Sequence, residues 1–142
     1  MKIVRTVRVD KPAAEVFAYL ADFTTTTQWD PGTVRTVREQ GDGGIGTTYR
    51  NTSRFLGRRT ELVYRVVHRH EPDVIQLVGT NSTVTATDTI EVRALAAGTE
   101  VTYTADFAFS GFAALAAPLL RLPLKRLGDQ AAAGMRTALE RL

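Results

Sequence analysis

Between Thr33 and Phe109 the sequence reads as strand after strand, joined by turns that force antiparallel neighbours. A parallel pair needs a crossover of about a dozen residues or more. The gaps here are short, the longest being Gly41–Gly46, Glu71-Pro72-Asp73, Asn81-Ser82 and Ala96-Ala97-Gly98. The expected strands are Thr33–Gln40, Thr47–Leu56, Arg58–His70, Val74–Thr80, Thr83–Leu95 and Thr99–Phe109. A first strand is expected at Lys2–Val9, where the side chains alternate with a period of two. Pro12 suits a helix's first turn, Glu15 favours its dipole, and Val16, Phe17 and Leu20 keep helical spacing, so a short helix is expected over Pro12–Asp22. The β-branched run Thr24–Thr27 predicts a loop or a weak helical turn leading to Trp29-Asp30-Pro31-Gly32, itself a turn.

The chain closes differently. Leu120, Leu124, Leu127, Ala131, Met135, Ala138 and Leu142 form one apolar stripe at helical spacing. Pro118 and Pro123 each remove a backbone donor, which predicts a break or kink and a regular helix starting near Leu122. A curved antiparallel sheet with one long amphipathic helix is satisfied when the helix lies across the concave face, an α+β arrangement. At 142 residues the chain is one domain's worth, read as a single domain over 1–142. With 44% hydrophobic and 23% charged residues, wholesale disorder is excluded. The absence of Cys excludes disulfides, thiolate metal sites and cysteine nucleophiles.

The net charge of +3 is local. Arg121, Lys125, Arg126, Arg136 and Arg141 outnumber Asp129 and Glu140 after Gly111, so the rest of the chain is neutral. These basic residues sit among Leu and Ala without stacking aromatics, which fits a solvated helix face and no nucleic-acid partner. The longest uncharged apolar run, Phe112–Leu120, is far short of the ~20 residues of a membrane span. Its Leu, Pro and flanking Arg/Lys content allows peripheral membrane contact but no stable insertion. No apolar block follows Met1-Lys2, so a cytoplasmic protein, monomer or homodimer, is the expectation.

Strand alternation selects the inward side chains. They are Tyr49, Asn51, Ser53 and Phe55; Leu62, Tyr64 and Val66; Val84, Ala86, Asp88, Ile90 and Val92; and Val101, Tyr103, Ala105, Phe107 and Phe109. This set is too polar for a dry core, because each unpaired buried polar group costs roughly 2–7 kcal/mol. Two readings remain open: a mutually satisfied polar cluster, or a cavity of the kind that holds a small molecule.

Several stretches carry a family likeness. They are Pro12-Ala-Ala-Glu-Val-Phe-Ala-Tyr-Leu-Ala-Asp22 followed by Trp29, Gly44-Ile-Gly-Thr-Thr-Tyr49, Glu71-Pro72 between two strands, Gly98-Thr99 before the last strand, and Ala116–Leu127 leading into the closing helix. With them the whole chain resembles the START-related polyketide cyclase/dehydrase and lipid-transport superfamily (SRPBCC). The resemblance implies the helix-grip fold, a seven-stranded curved antiparallel sheet wrapped around a long C-terminal helix with a cavity between them. It fixes chemistry poorly, since such domains include carriers, hormone sensors and aromatase/cyclases.

Other motifs weaken on inspection. Gly41-Asp-Gly43-Gly-Ile-Gly46 matches G-x-G-x-x-G, but strand rather than helix follows it, so it is a hairpin loop and no nucleotide or other cofactor is implied. His68 and His70 share one side of a strand, yet no third ligand stands at a telling spacing, and no metal is expected. Neither His has a carboxylate partner placed for a triad with Ser53, Ser82 or Ser110. The catalytic machinery is therefore unassigned, with Asp88 the one weak candidate. Burial would raise its pKa, and Tyr49, Tyr64 or Tyr103 could orient a carbonyl beside it; a structural acceptor role is the plainer alternative. The expected ligand is small and largely apolar, a lipid, polyketide or aromatic. The residues expected to touch it are Trp29, Tyr49, Asn51, Phe55, Tyr64, Asp88, Tyr103, Phe107, Leu120 and Leu124. Phe112–Leu124 and the Gly41–Gly46 loop are expected to gate access to them together.

Overall fold

The computed structural model describes residues 1–142. The strands β1 (Lys2–Val9), β2 (Thr33–Gln40), β3 (Thr48–Phe55), β4 (Arg58–His70), β5 (Val74–Thr80), β6 (Val84–Ala94) and β7 (Thr99–Phe109) form one sheet, ordered β1-β7-β6-β5-β4-β3-β2. Every neighbouring pair is antiparallel. The helices are α1 (Ala13–Ala21), α2 (Thr26–Trp29) and α3 (Phe112–Glu140). Each expected strand is present within one residue at either end. Leu56 falls outside β3 because Leu56 and Gly57, with φ of 51° and 77°, make a tight two-residue hairpin turn.

The threonine run is held by its own hydroxyls. Thr25 Oγ1 donates to the Asp22 carbonyl at 2.8 Å, Thr26 Oγ1 to Phe23 at 2.8 Å and Thr27 Oγ1 to Thr24 at 2.9 Å. β-Branched residues that cannot sustain a long helix here build a 3₁₀ turn and one α-turn, and so deliver Trp29 to the sheet.

The sheet's inward rows follow the expected register. One crosses Tyr49, Tyr64, Gly79, Ala86 and Phe107; the next crosses Val66, Leu77, Asp88 and Ala105. Gly79 is required where it stands, because a Cβ there would lie 2.6 Å from Cε1 of the Tyr64 ring folded across it. Against these rows pack Val16, Phe17 and Leu20 of α1, and Leu124, Ala131, Met135 and Leu139 of α3.

The closing helix differs from its expected form. It runs unbroken through both prolines from Phe112, rather than starting near Leu122. A proline frees the carbonyl four residues earlier, here those of Ala114 and Leu119. Both residues are exposed, so water can satisfy those carbonyls and the helix can continue. Beyond Leu124 the helix is clamped. Arg5 Nε donates to Asp129 Oδ1 at 2.7 Å and Arg5 Nη2 to the Lys125 carbonyl at 3.1 Å, while Lys11 Nζ reaches the Leu142 carbonyl at 2.6 Å.

The expected joint gate is also corrected. The Gly41–Gly46 loop is tied to the His70 end of β4, through Gly46 N–H to the Val66 carbonyl and Arg69 Nη1 to the Gly43 carbonyl. The start of α3 follows the Phe109 end of β7, at the opposite end of the sheet beside the turn at Asn81–Thr83. The antiparallel register holds these two segments apart.

Candidate functional site

Between the sheet and α3 lies a cavity of about 100 Å³. The 3₁₀ turn after α1 contributes Phe23, α2 contributes Thr26 and Trp29, the turn after it contributes Asp30 and Gly32, and β2 opens with Thr33. The sheet adds Asn51, Ser53, Leu62, Tyr64, Asp88, Tyr103 and Phe107, and α3 closes it with Leu124, Leu127, Gly128 and Ala131. The wall is chiefly aromatic and aliphatic, with its polar groups gathered in two places.

One polar group of residues lies at the β2–β3 side. Asn51 Nδ2 donates to Thr36 Oγ1 at 2.8 Å and Thr33 Oγ1 at 3.3 Å, and Thr36 Oγ1 shares a 2.6 Å bond with Thr26 Oγ1. Asp30 accepts from Gly32 N–H and Thr33 Oγ1, both at 3.0 Å. Burial pushes the Asp30 carboxyl above its usual range, and these two donors pull it partly back.

The other lies on the sheet. Tyr103 Oη donates to Asp88 Oδ2 at 2.9 Å, and the Trp29 ring meets the Tyr103 ring edge-on at 5.6 Å. Asp88 is 5% exposed. Burial pushes its carboxyl up to about 7; the Tyr103 hydroxyl opposes the shift and the Asp30 charge adds to it. Burial, and then the Asp88 and Asp30 carboxyls, hold the Tyr64 and Tyr103 phenols well above their ordinary range. A carboxyl near its half-protonated point, beside two phenols that stay neutral, can give or take a proton near neutrality.

Both readings left open by the alternation are therefore realised at once. Part of the polar set is mutually satisfied, Asn51 with Thr33 and Thr36 and Tyr103 with Asp88; no fully sealed side-chain nitrogen or oxygen lacks a partner, and the set also lines a cavity. Of the expected contact residues, Trp29, Asn51, Tyr64, Asp88, Tyr103, Phe107 and Leu124 are on the wall. Three are not. Tyr49 is 1% exposed but packs behind the wall against Phe23, ring centroids 5.9 Å apart. Phe55 ends β3 at the hairpin, beyond the last wall residues Ser53 and Arg54. Leu120 lies one helical turn before Leu124, and the closing residues of α3 begin only at Leu124. Sequence reasoning missed Asp30, Phe23 and Thr33. Asp30 was visible only as turn chemistry, although an Asp two residues before a Gly is a common way to bond a turn's backbone.

His68 and His70 are exposed; His70 Nδ1 faces Asp73 Oδ2 at 3.1 Å, and no group of three His, Asp or Glu converges anywhere. No helix is long and apolar enough to cross a membrane.

The family profile described as polyketide cyclase / dehydrase and lipid transport matches residues 1–140. The chain belongs to that family. The Zhui aromatase/cyclase from Streptomyces sp. R1128 superposes with a TM-score of 0.82 at 20% identity, over 99% of this chain and 94% of that one. A START superfamily protein from Mycobacterium smegmatis does so at 0.70 and 17% identity, over 98% and 94%. The di-domain ARO/CYC BexL from the BE-7585A biosynthetic pathway matches at 0.73 and 15% identity; this chain covers 49% of it. At such identities the likeness is one of fold, the helix grip. No curated protein sequence matches the chain.

Proposed function

We propose that this protein binds a small, largely apolar molecule, a lipid, polyketide or aromatic, between the sheet and α3, as a carrier or binding module. The supporting observation is the cavity itself: an apolar wall with its polar groups in two places, the usual form of a small-molecule site. Its volume of about 100 Å³ suits a single ring, whereas sites for larger ligands hold roughly 300–1,000 Å³. A larger ligand must therefore displace part of the wall. Leu124 is the first wall residue on α3, and the helix leading to it is cheap to move, because Phe112, Leu115 and Leu119 bury little against the rest.

Trp29, the sole tryptophan, stands on the wall and reports occupancy. Titration with long-chain fatty acids and with anthraquinones should quench its fluorescence saturably, with the two classes competing for one site. Phe107→Ala and Leu124→Ala should weaken that binding, while the control Glu91→Ala, on the exposed side of β6, should leave it unchanged. Native mass spectrometry of protein from its own host should show a co-purified mass. Unsaturable quenching and a bare protein mass together sink the reading.

A second reading, cyclase/dehydrase chemistry in the same cavity, is favoured by the Asp88–Tyr103 pair poised near neutrality. It requires that a supplied poly-β-ketone mimic lose water with the wild type and not with Asp88→Asn. Unchanged mimic in both samples leaves only the carrier.

A further inference from the structure

On the sheet wall of this cavity, the deeply buried Tyr64 and Asp88 each carry a polar atom with no partner in the protein. Tyr64 is 7% exposed, and its hydroxyl makes no hydrogen bond. Asp88 uses Oδ2 to accept from Tyr103, and its other carboxyl oxygen bonds to nothing. Because no fully sealed side-chain oxygen is left unpaired, both atoms retain accessible surface, and both residues line the cavity. The register brings them together. Tyr64 pairs with Gly79, Gly79 with Ala86, and Asp88 is the next inward residue along β6 from Ala86. The Tyr64 ring lies across Gly79, which carries it toward β6.

The geometry points to a ligand with a neutral carbonyl oxygen, a ketone or ester, seated against the Tyr64 hydroxyl and the free oxygen of Asp88, with its hydrocarbon against Phe23, Trp29 and Phe107. The inference rests on the binding function proposed above and narrows its ligand class. On the β2–β3 side of the wall, by contrast, Asn51 Nδ2 is spent on Thr33 and Thr36, and both Asp30 oxygens accept from Gly32 and Thr33. At Asp88, burial favours the protonated carboxyl below about pH 7, and its proton belongs on the oxygen that Tyr103 does not occupy. Tyr64 stays a phenol over the same range. Two donors then converge on an apolar space, which matches the lone pairs of one carbonyl oxygen. A carboxylate is disfavoured there, since Asp30 stands on the same wall and its charge reaches Asp88, Tyr64 and Tyr103. The basic side chain on the wall, Arg54, is exposed.

The test compares acetophenone with α-methylstyrene, which has the same shape but a methylene in place of the carbonyl oxygen. Calorimetry at pH 6 should show the ketone binding about tenfold more tightly, the worth of one to two net hydrogen bonds. The carbonyl stretch of bound acetophenone should move to lower frequency than in hexane. Tyr64→Phe and Asp88→Leu should each remove most of the preference while the alkene still binds, and Asp88→Asn, which keeps an N–H donor, should retain part of it. Equal affinities for ketone and alkene with an unshifted carbonyl stretch overturn the inference and leave the apolar site standing. A preference that survives both Tyr64→Phe and Asp88→Leu overturns the assignment to these residues. Failure of both compounds to bind wild-type protein overturns the binding function together with the inference.

Discussion

The two halves of α3 are one continuous helix in two different environments. From Leu124 onward, Leu124, Gly128, Ala131, Met135 and Leu139 are buried against the sheet and α2. Before it, Phe112 is 90% exposed, Leu115 79% and Leu119 80%, although the apolar content is at least as high. Hydrophobicity does not separate the halves. What separates them is burial against the sheet and α2, and the cavity lies beneath the packed half, at Leu124, Leu127, Gly128 and Ala131.

The largest expected effect tests that division directly. Met135 is fully buried, and Met135→Ala should cost ~2–5 kcal/mol in denaturant unfolding, the range for truncating a large core side chain. Leu119→Ala should change stability by no more than about 0.5 kcal/mol, as exposed substitutions do. Comparable losses would mean that the first half packs as the second does.

Asp88 tests the cavity beneath the packed half. Its folded pKa lies above the unfolded value, so the wild type loses stability as pH rises from about 4, through the unfolded pKa, to about 7. Asp88→Asn removes that loss and still offers an oxygen to Tyr103. The variant should gain on the wild type across this window, by up to about 4 kcal/mol at pH 8. A stability difference that does not change with pH would show that Asp88 titrates normally.

Within the packed half, Gly134 faces the Trp29 carbonyl oxygen with no room for a Cβ. Gly134→Ala should destabilise by ~1–3 kcal/mol through overpacking, reversing the gain of about 1 kcal/mol that Ala normally brings to a helix. Thermal unfolding decides the sign, and a raised midpoint would mean that α3 can shift away from Trp29.

The smallest effect is local. Amides of 129–140 should exchange slowest and those of 112–122 fastest. Pro118→Ala should restore a bond to the Ala114 carbonyl and slow exchange in 112–122 with little global change. Uniform exchange along α3 would erase the distinction between its halves.

Much of this architecture was legible along the chain. Alternation and short connections marked all seven strands, and the seven-residue stripe marked the closing helix. Local chemistry also placed Asp88 and Tyr103 on the inward face, because a period of two leaves a side chain only two faces to choose between. The site was legible in part. Trp29, Asn51, Tyr64, Phe107 and Leu124 lie on the wall, but Tyr49 and Phe55 share the same inward face and stand off it. Alternation tells which face a residue occupies; it does not tell what stands opposite, and the span of α3 decides that.

The sequence by itself determined the strand order in the chain, the antiparallel pairing and the polar character of the inward face, since each follows from spacing over a few residues. Tertiary structure decided the rest. It carried α3 through Pro118 and Pro123, because exposure lets water take the freed carbonyls. It brought Asp30 from a turn to within electrostatic reach of Asp88, although 58 positions separate them in the chain. It left the Tyr64 hydroxyl and one Asp88 oxygen facing a common space. A pKa near 7 and a free donor are properties of burial and of what stands opposite, and neither exists until distant segments close around the same volume.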